Sequence, residues 1–183
     1  MSNQRRRPLT EKESVQDNFW NQDVLREIHT RSPRMLQTFE KVKSVAPTKT
    51  TVLLLGDTGV GKGMVAKLIH QHSSRKDEEF VHVHCGALPD TLVESELFGY
   101  EKGAFTGAAK RKLGRFDKAQ KGTIFLDDVN TISETMQIKL LQVLQERIFQ
   151  RVGGESPIEA DVRVIAASNS DLQQLCHEGL FRK

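Results

Sequence analysis

Gly56-Asp57-Thr58-Gly59-Val60-Gly61-Lys62 follows the apolar run Thr51–Leu55 directly, and a helical pattern of Met64, Val65, Leu68 and Ile69 follows it in turn. Strand, glycine-rich loop and helix in that order form the context that a phosphate-binding loop requires. Glycines let the backbone wrap around a phosphate with successive N–H groups pointing inward, and the helix N-terminus adds positive potential. Lys62 reaches the outer phosphates as a point charge. The bland alternative is a glycine-rich turn, and the flanking strand and helix count against it. The position after the lysine usually carries a serine or threonine hydroxyl that meets magnesium; here it is Gly63, which brings no ligand. Gly56, Asp57, Thr58, Gly59, Val60, Gly61, Lys62 and Gly63 are the candidate nucleotide-binding residues.

Three more strand-like runs lie downstream, Phe80–Cys85, Thr123–Asp127 and Val162–Ser168. Thr51–Leu55 and Val162–Ser168 are nearly continuous apolar runs, as expected of strands covered on both faces. Helical patterns separate the runs. The clearest begins at Ser133, a good N-cap residue, with Met136, Leu140, Leu141 and Leu144 on one face. Strands alternating with helices predict an α/β fold, a parallel sheet with helices on both sides. Upstream, Ser32-Pro33 suits a helix start, and Met35, Leu36, Phe39, Val42 and Val45 fall on one helical face before Pro47. Residues 1–30 are polar without clear periodicity and read as a disordered tail or linker.

At 37% hydrophobic and 28% charged, the 183 residues suit one soluble domain with a real core. No apolar run approaches the roughly 18 residues needed to span a bilayer. Met1–Pro8 is basic with no apolar stretch behind it, so it is not a secretory signal. Cys85 and Cys176 make no disulfide framework, which fits a reducing cytoplasm. A net charge of +3 does not by itself argue for nucleic-acid binding. Arg5-Arg6-Arg7 reads as a solvated start, and Lys110, Arg111, Lys112 and Arg115 read first as a solvated face and second as an electrostatic aid to docking.

Thr123–Leu126 is an apolar strand that ends in Asp127-Asp128. Downstream of a phosphate loop, such an acid holds the magnesium ion, directly or through water, and a second acid orients and deprotonates the attacking water. Asp127 is assigned to magnesium and Asp128 to the water.

The run Glu96-Leu97-Phe98-Gly99-Tyr100-Glu101-Lys102-Gly103-Ala104-Phe105-Thr106-Gly107-Ala108 is more specific still. It resembles the AAA+ domain of the sigma-54-dependent transcription activators, the bacterial enhancer-binding proteins. Gly114-Arg115-Phe116, Gly122–Asp127, Leu140–Glu146, Arg151-Val152-Gly153-Gly154 and Asp161–Asn169 are similar to the same family, in order and at family spacing from about Ile28 onward. The resemblance implies a P-loop NTPase of three-layer αβα form over 31–183. It implies a cytoplasmic bacterial ATPase that assembles as a ring, usually a hexamer, and uses ATP with magnesium to remodel sigma-54 RNA polymerase. It makes Gly103, Ala104, Phe105, Thr106, Gly107 and Ala108 the tip of the loop that touches sigma-54. Glycines supply hinges there and Phe105 an aromatic anchor; without the resemblance, a turn with Phe105 tucked into the core is the simpler reading. By the same resemblance, Ser168 and Asn169 sense the terminal phosphate, and Arg182 is the first of two arginines offered to a neighbouring subunit's ATP.

Three positions depart from the family pattern. Gly63 replaces a carboxylate, Asp128 a glutamate, and His84 an asparagine that restrains the catalytic acid. His84 is thus a candidate switch, expected to hydrogen-bond Asp128. These departures favour an alternative, a nucleotide-binding regulator that does not hydrolyse, or a truncated remnant. His82 and His84 share one strand face while Cys85 points away; with no third ligand in sight, no metal site is expected at the pair. By the resemblance, the chain also lacks the second arginine, a fifth strand, the helical lid and a C-terminal helix-turn-helix that would bind enhancer DNA. Thr51–Leu55 is then expected to be an apolar sheet edge, prone to aggregation.

Overall fold

In a computed structural model, which describes residues 32–87 and 89–182, the apolar runs become strands and the periodic stretches between them helices. The elements are α1 (Pro33–Val45), β1 (Val52–Leu55), α2 (Lys62–Gln71), β2 (Phe80–His84), α3 (Asp90–Phe98), β3 (Gly99–Tyr100), β4 (Lys112–Leu113), α4 (Arg115–Lys118), β5 (Thr123–Asp127), α5 (Glu134–Glu146), β6 (Ile148–Phe149), β7 (Ile158–Glu159), β8 (Arg163–Ser168) and α6 (Leu172–His177). The chain divides after Ser44, with α1 up to that residue in a first unit and the remaining elements in a second that runs from Val45. The expected tail over 1–30 lies outside the described residues.

Helix α1 starts at Pro33, where the missing N–H is harmless. Phe39 and Val42 are its buried residues, whereas Leu36 is exposed. The face is therefore narrower than expected: Met35, Phe39 and Val42 follow helical spacing, and Leu36 sits one residue, about 100°, away.

In the second unit, β1, β8, β5 and β2 form one sheet in that order, and every pairing is parallel. Thr123 through Leu126 of the central β5 are all buried, as a continuous apolar run predicts. Val81, Val83, Ile124, Leu126 and Val164 face one way and pack in the main core with Leu97, Phe98, Phe116, Met136, Leu140 and Val143. Phe98 and Phe116 stack at 5.3 Å, and Phe149 lies 6.1 and 5.8 Å from them. On the opposite face α2 packs on β5, β1 and β8, burying Val65, Leu68 and Ile69. Helices on both faces of a parallel sheet make the expected three-layer αβα architecture. No helix among the described residues is long and apolar enough to cross a membrane.

Three details differ from the sequence reading. β1 is the expected sheet edge, but it is not covered on both faces as its apolar run alone suggests: Leu53 is 45% and Leu55 58% exposed. Ser133 does precede α5, but its side chain makes no capping bond. Arg163 is buried inside an apolar strand, where its guanidinium donates to the carbonyls of Val45 and Ala46 (2.9 and 2.6 Å) and so keeps its charge hydrogen-bonded.

Candidate functional site

The strand order decides where the site forms. Strands β1, β8 and β5 are neighbours and parallel, so their C-terminal ends lie side by side. The glycine-rich loop leaves β1, Ser168-Asn169 ends β8, and Asp127-Asp128 ends β5. Residues far apart in sequence thus meet at one rim of the sheet, the usual place for ligands in open α/β sheets.

The loop has the shape of an anion cradle. Gly59 and Gly61 have φ of 83° and 94°, and nothing lies within 4 Å of where a Cβ would stand on either. Helix α2 begins at the next residue, so its N-terminal N–H groups face the loop. Gly56 N–H donates to the Ser168 carbonyl (3.2 Å), which ties the loop to β8. The Lys62 ammonium folds back across the loop to the carbonyls of Gly56 (2.9 Å) and Asp57 (3.0 Å). Asn169 Nδ2 donates to Thr58 Oγ1 (3.3 Å). These residues fit a phosphate group. Val60 stands exposed at the loop tip. A Cβ on Gly63 would meet only Phe125 Cε1, at an ordinary 3.6 Å.

Asn130 was not singled out by sequence reasoning. Its Nδ2 donates to Asn169 Oδ1 (3.0 Å) and its Oδ1 accepts from Ser168 Oγ (3.2 Å). It links the turn after Asp127-Asp128 to the end of β8, and only its place just beyond the two acids hinted at this. Asp128 itself is in the left-handed region, φ 56°, which aspartate tolerates better than most side chains.

The histidine pair behaves differently from expectation. Parallel register sets His84 opposite Asp127, so its Nδ1 lies 3.5 Å from Asp127 Oδ2. The expected partner was Asp128. His82 Nε2 lies 3.6 Å from the same oxygen. Burial, with His84 beside it, holds His82 below the ordinary imidazole range, against the pull of Asp127. Asp127 is thus a third potential ligand beside the two histidines. Cys85 is buried, and burial with the nearby Asp127 and Asp128 pushes its thiol up to about 12; it is inert at neutral pH.

The Gly103–Ala108 segment lies between β3 and β4, which pair antiparallel. Gly103 N–H donates to Ala108 carbonyl (2.9 Å) and Ala108 N–H to Phe105 carbonyl (3.0 Å), closing a tight tip. Ala108 is buried and Phe105 is 47% exposed, edge-on to Tyr100 at 4.9 Å. Phe105 is therefore not tucked into the core. The loop rests on 151–154: Glu101 N–H donates to Val152 carbonyl (3.0 Å), Val152 N–H to Gly99 carbonyl (3.0 Å), and Arg151 pairs with Glu101 (3.3 Å) and Asp117. The basic cluster next to the loop is largely paired: Arg111 with Glu101, and Lys112 and Arg115 with Glu96. The hydrogen bond from Lys112 holds the Glu96 carboxyl below the usual range. Arg182 is not among the residues at the sheet rim; it pairs with Glu134 Oε1 (3.2 Å), and its N–H donates to Gln137 Oε1 (2.8 Å) on α5.

A phosphate-loop sheet with an aromatic-tipped Gly-Ala-Phe-Thr-Gly-Ala loop agrees with the family model that the sequence matches, that of the sigma-54 interaction domain, over residues 28–183. The chain belongs to that family. The sigma-54 interaction domain is 53% identical over 151 residues to the Nif-specific regulatory protein of Azospirillum lipoferum, covering 82% of this chain and 24% of that protein. It is 46% identical over 156 residues to the regulatory protein AtoC of Escherichia coli, covering 85% and 34%. Its fold is similar to the crystal structure of NtrX from Brucella abortus in complex with ATP, with a TM-score of 0.77 and 31% identity over 94% of this chain and 40% of that one. The domain thus spans about a quarter to a third of the length of these curated relatives.

Proposed function

We infer that the chain is the ATP-binding core of a sigma-54-dependent transcriptional regulator, in which ATP hydrolysis remodels sigma-54 RNA polymerase for promoter opening. One observation carries this reading: the open glycine cradle, Lys62, Asp127 and Asn169 share one rim of the sheet. The ATP bound by NtrX from Brucella abortus supports the choice of nucleotide.

On this reading, the main-chain N–H groups of Gly56–Gly63 hold the phosphates, and Lys62 turns from the Gly56 and Asp57 carbonyls to the outer ones. Asp127 holds magnesium through water; when bound, that ion neutralises charge on the transferring phosphoryl group. Asp128 orients the attacking water, while Ser168 and Asn169 respond to the terminal phosphate. Arg182, turned to α5 within its own chain, serves a neighbouring subunit's ATP in a hexameric ring. Gly103–Ala108 touches sigma-54, with Phe105 as the anchor. Enhancer DNA is bound by a C-terminal domain of the whole protein, which works in the bacterial cytoplasm.

The second reading, a nucleotide-responsive regulator without hydrolysis, is favoured by one contact: His84 turns to Asp127 instead of Asp128. One assay tests the ATP binding that both readings share, and a second separates them. A fluorescent ATP analogue is expected to bind the wild-type chain and not Lys62→Ala; equal binding by both would sink the ATP-binding assignment. Phosphate release above that of Asp127→Ala supports the ATPase, and bound ATP with no such release selects the regulator.

A further inference from the structure

Two side chains of β2 have no part in phosphate binding. Strand alternation puts His82 and His84 on the same face, their ring centroids 4.1 Å apart. Their Nε2 and Nδ1 atoms both lie near one oxygen, Asp127 Oδ2, at 3.6 and 3.5 Å. The three donor atoms lie within 4.8 Å of one another.

Those spacings are close to the ones a small transition-metal ion imposes. With zinc-to-nitrogen and zinc-to-oxygen bonds of about 2.0–2.1 Å and tetrahedral angles, neighbouring ligand atoms stand about 3.3–3.4 Å apart. Two edges of one tetrahedral face are therefore nearly formed, and the third, between the two imidazole nitrogens, is at most 4.8 Å. The side chains of His82 and His84 are 37% and 61% exposed, so an ion enters from solvent and keeps an open position for water. The donor set selects the ion. Imidazole suits zinc, nickel and copper, whereas magnesium takes oxygen ligands and gives up its waters reluctantly.

We propose that His82, His84 and Asp127 form a binding site for a divalent transition-metal ion of the zinc class, and that filling it withdraws Asp127 from the nucleotide's magnesium. The first part stands on the geometry alone; the second rests on the ATP-binding reading above. The site makes the regulator sensitive to metal: an ion on the two imidazoles takes up the Asp127 carboxylate oxygen that magnesium-bound water needs.

The test is a zinc titration of the untagged, metal-stripped chain by calorimetry without nucleotide, repeated with cobalt(II) as a spectroscopic stand-in. One equivalent is expected to bind, with cobalt absorption of a low-coordinate nitrogen and oxygen site. His82→Gln, His84→Asn and Asp127→Asn are each expected to weaken binding at least about 10-fold, the loss that even an outer-shell change causes. His177→Ala is expected to leave it unchanged. Circular dichroism checks that the variants are folded, and each of the three serves if another is not. Zinc affinity equal in all folded variants would overturn the site. The second arm measures ATP affinity in magnesium with and without one equivalent of zinc. A loss of affinity in the wild type that His84→Asn abolishes supports the competition, and an unchanged affinity overturns it. A chain that binds zinc but no ATP at all refutes the nucleotide reading and leaves the metal site standing.

Discussion

Ala104 rests directly on Gly153. A Cβ at Gly153 would come within 2.7 Å of the Ala104 Cβ and 2.9 Å of its Cα, and Gly153 has a φ of 72° that side chains resist. The exposed Phe105 loop is thus held from below by a contact that only glycine allows. Gly153→Ala is expected to cost about 1–2 kcal/mol from the left-handed backbone alone, with the loop pushed off its seat in addition. For a domain of this size that lowers the melting temperature by about 2–4 °C per kcal/mol. Binding of an ATP analogue is expected to survive, because the phosphate loop lies on other elements. Promoter opening by sigma-54 polymerase, assayed with the whole protein, is expected to fall. A Gly153→Ala protein with unchanged melting would contradict the contact.

Gly63 leaves room for a missing ligand. Its Cβ would touch only Phe125 Cε1 at 3.6 Å, and its φ is not positive. A Cβ is accepted there, and threonine also improves helix propensity by a few tenths of a kcal/mol. Gly63→Thr is expected to tighten ATP binding in magnesium about 5- to 10-fold, which corresponds to about 1 kcal/mol for one added polar contact. Without magnesium the affinity is expected to stay as it was. Calorimetry in each condition checks this, and equal gains in both would mean that the hydroxyl acts on the phosphate or the helix and not on the metal.

The extent to which the sequence was legible follows from the range of each interaction. Apolar runs such as Thr123–Leu126 and the period of Val65, Leu68 and Ile69 are local, and they led to the right strands and to the right layers. The meeting of Lys62, Asp127 and Asn169 needed the sheet order, which no local pattern contains; the loop motif stood in for it. The third partner of His82 and His84 was hidden for the same reason, since register between β2 and β5 sets it. Asn130 escaped because a polar residue after a strand is ordinary until its bonds to Ser168 and Asn169 are seen. Gly153 was legible as part of a motif, but not as the seat of Ala104.

His70 gives the fold a pH dependence. Its ring is buried between α2 and β5, with Nδ1 2.9 Å from Thr123 Oγ1 and Phe80 alongside at 5.2 Å. Burial chiefly, with the charge of Arg163, holds its pKa below the ordinary 6.5, although a backbone hydrogen bond at Glu78 opposes them. An unfolded chain takes up this proton near pH 6.5 and the folded one only lower, so below that pH the unfolded state binds more protons. Stability is therefore full above about pH 6.5 and declines as the pH falls toward the folded-state value. Urea midpoints measured from pH 7.5 down to pH 5.5 are expected to drop, and His70→Gln, which can still meet Thr123, is expected to flatten the decline. His82, displaced in the same direction, leaves a residual slope. A variant with the wild-type slope would mean that other groups carry the effect.

The β1 edge is expected to make the chain prone to associate. Leu53 and Leu55 are 45% and 58% exposed on an edge strand, and Leu53 lines an apolar cavity of about 250 Å³ together with Leu141, Leu144 and Phe181. Unpaired strand groups beside exposed leucines are a template for pairing with another chain. A lysine at the edge blocks such pairing, while its aliphatic stem can lie along the apolar wall and leave the ammonium in water. Leu53→Lys is expected to reduce concentration-dependent light scattering of the purified chain, with a change in folding stability under about 1 kcal/mol, since the position is half-exposed. Scattering that stays at the wild-type level while the variant remains folded would assign the association to a different surface. A drop in scattering with nucleotide affinity intact would show that the apolar edge drives it and that the phosphate loop, which begins at Gly56 just beyond this strand, tolerates a charge so near.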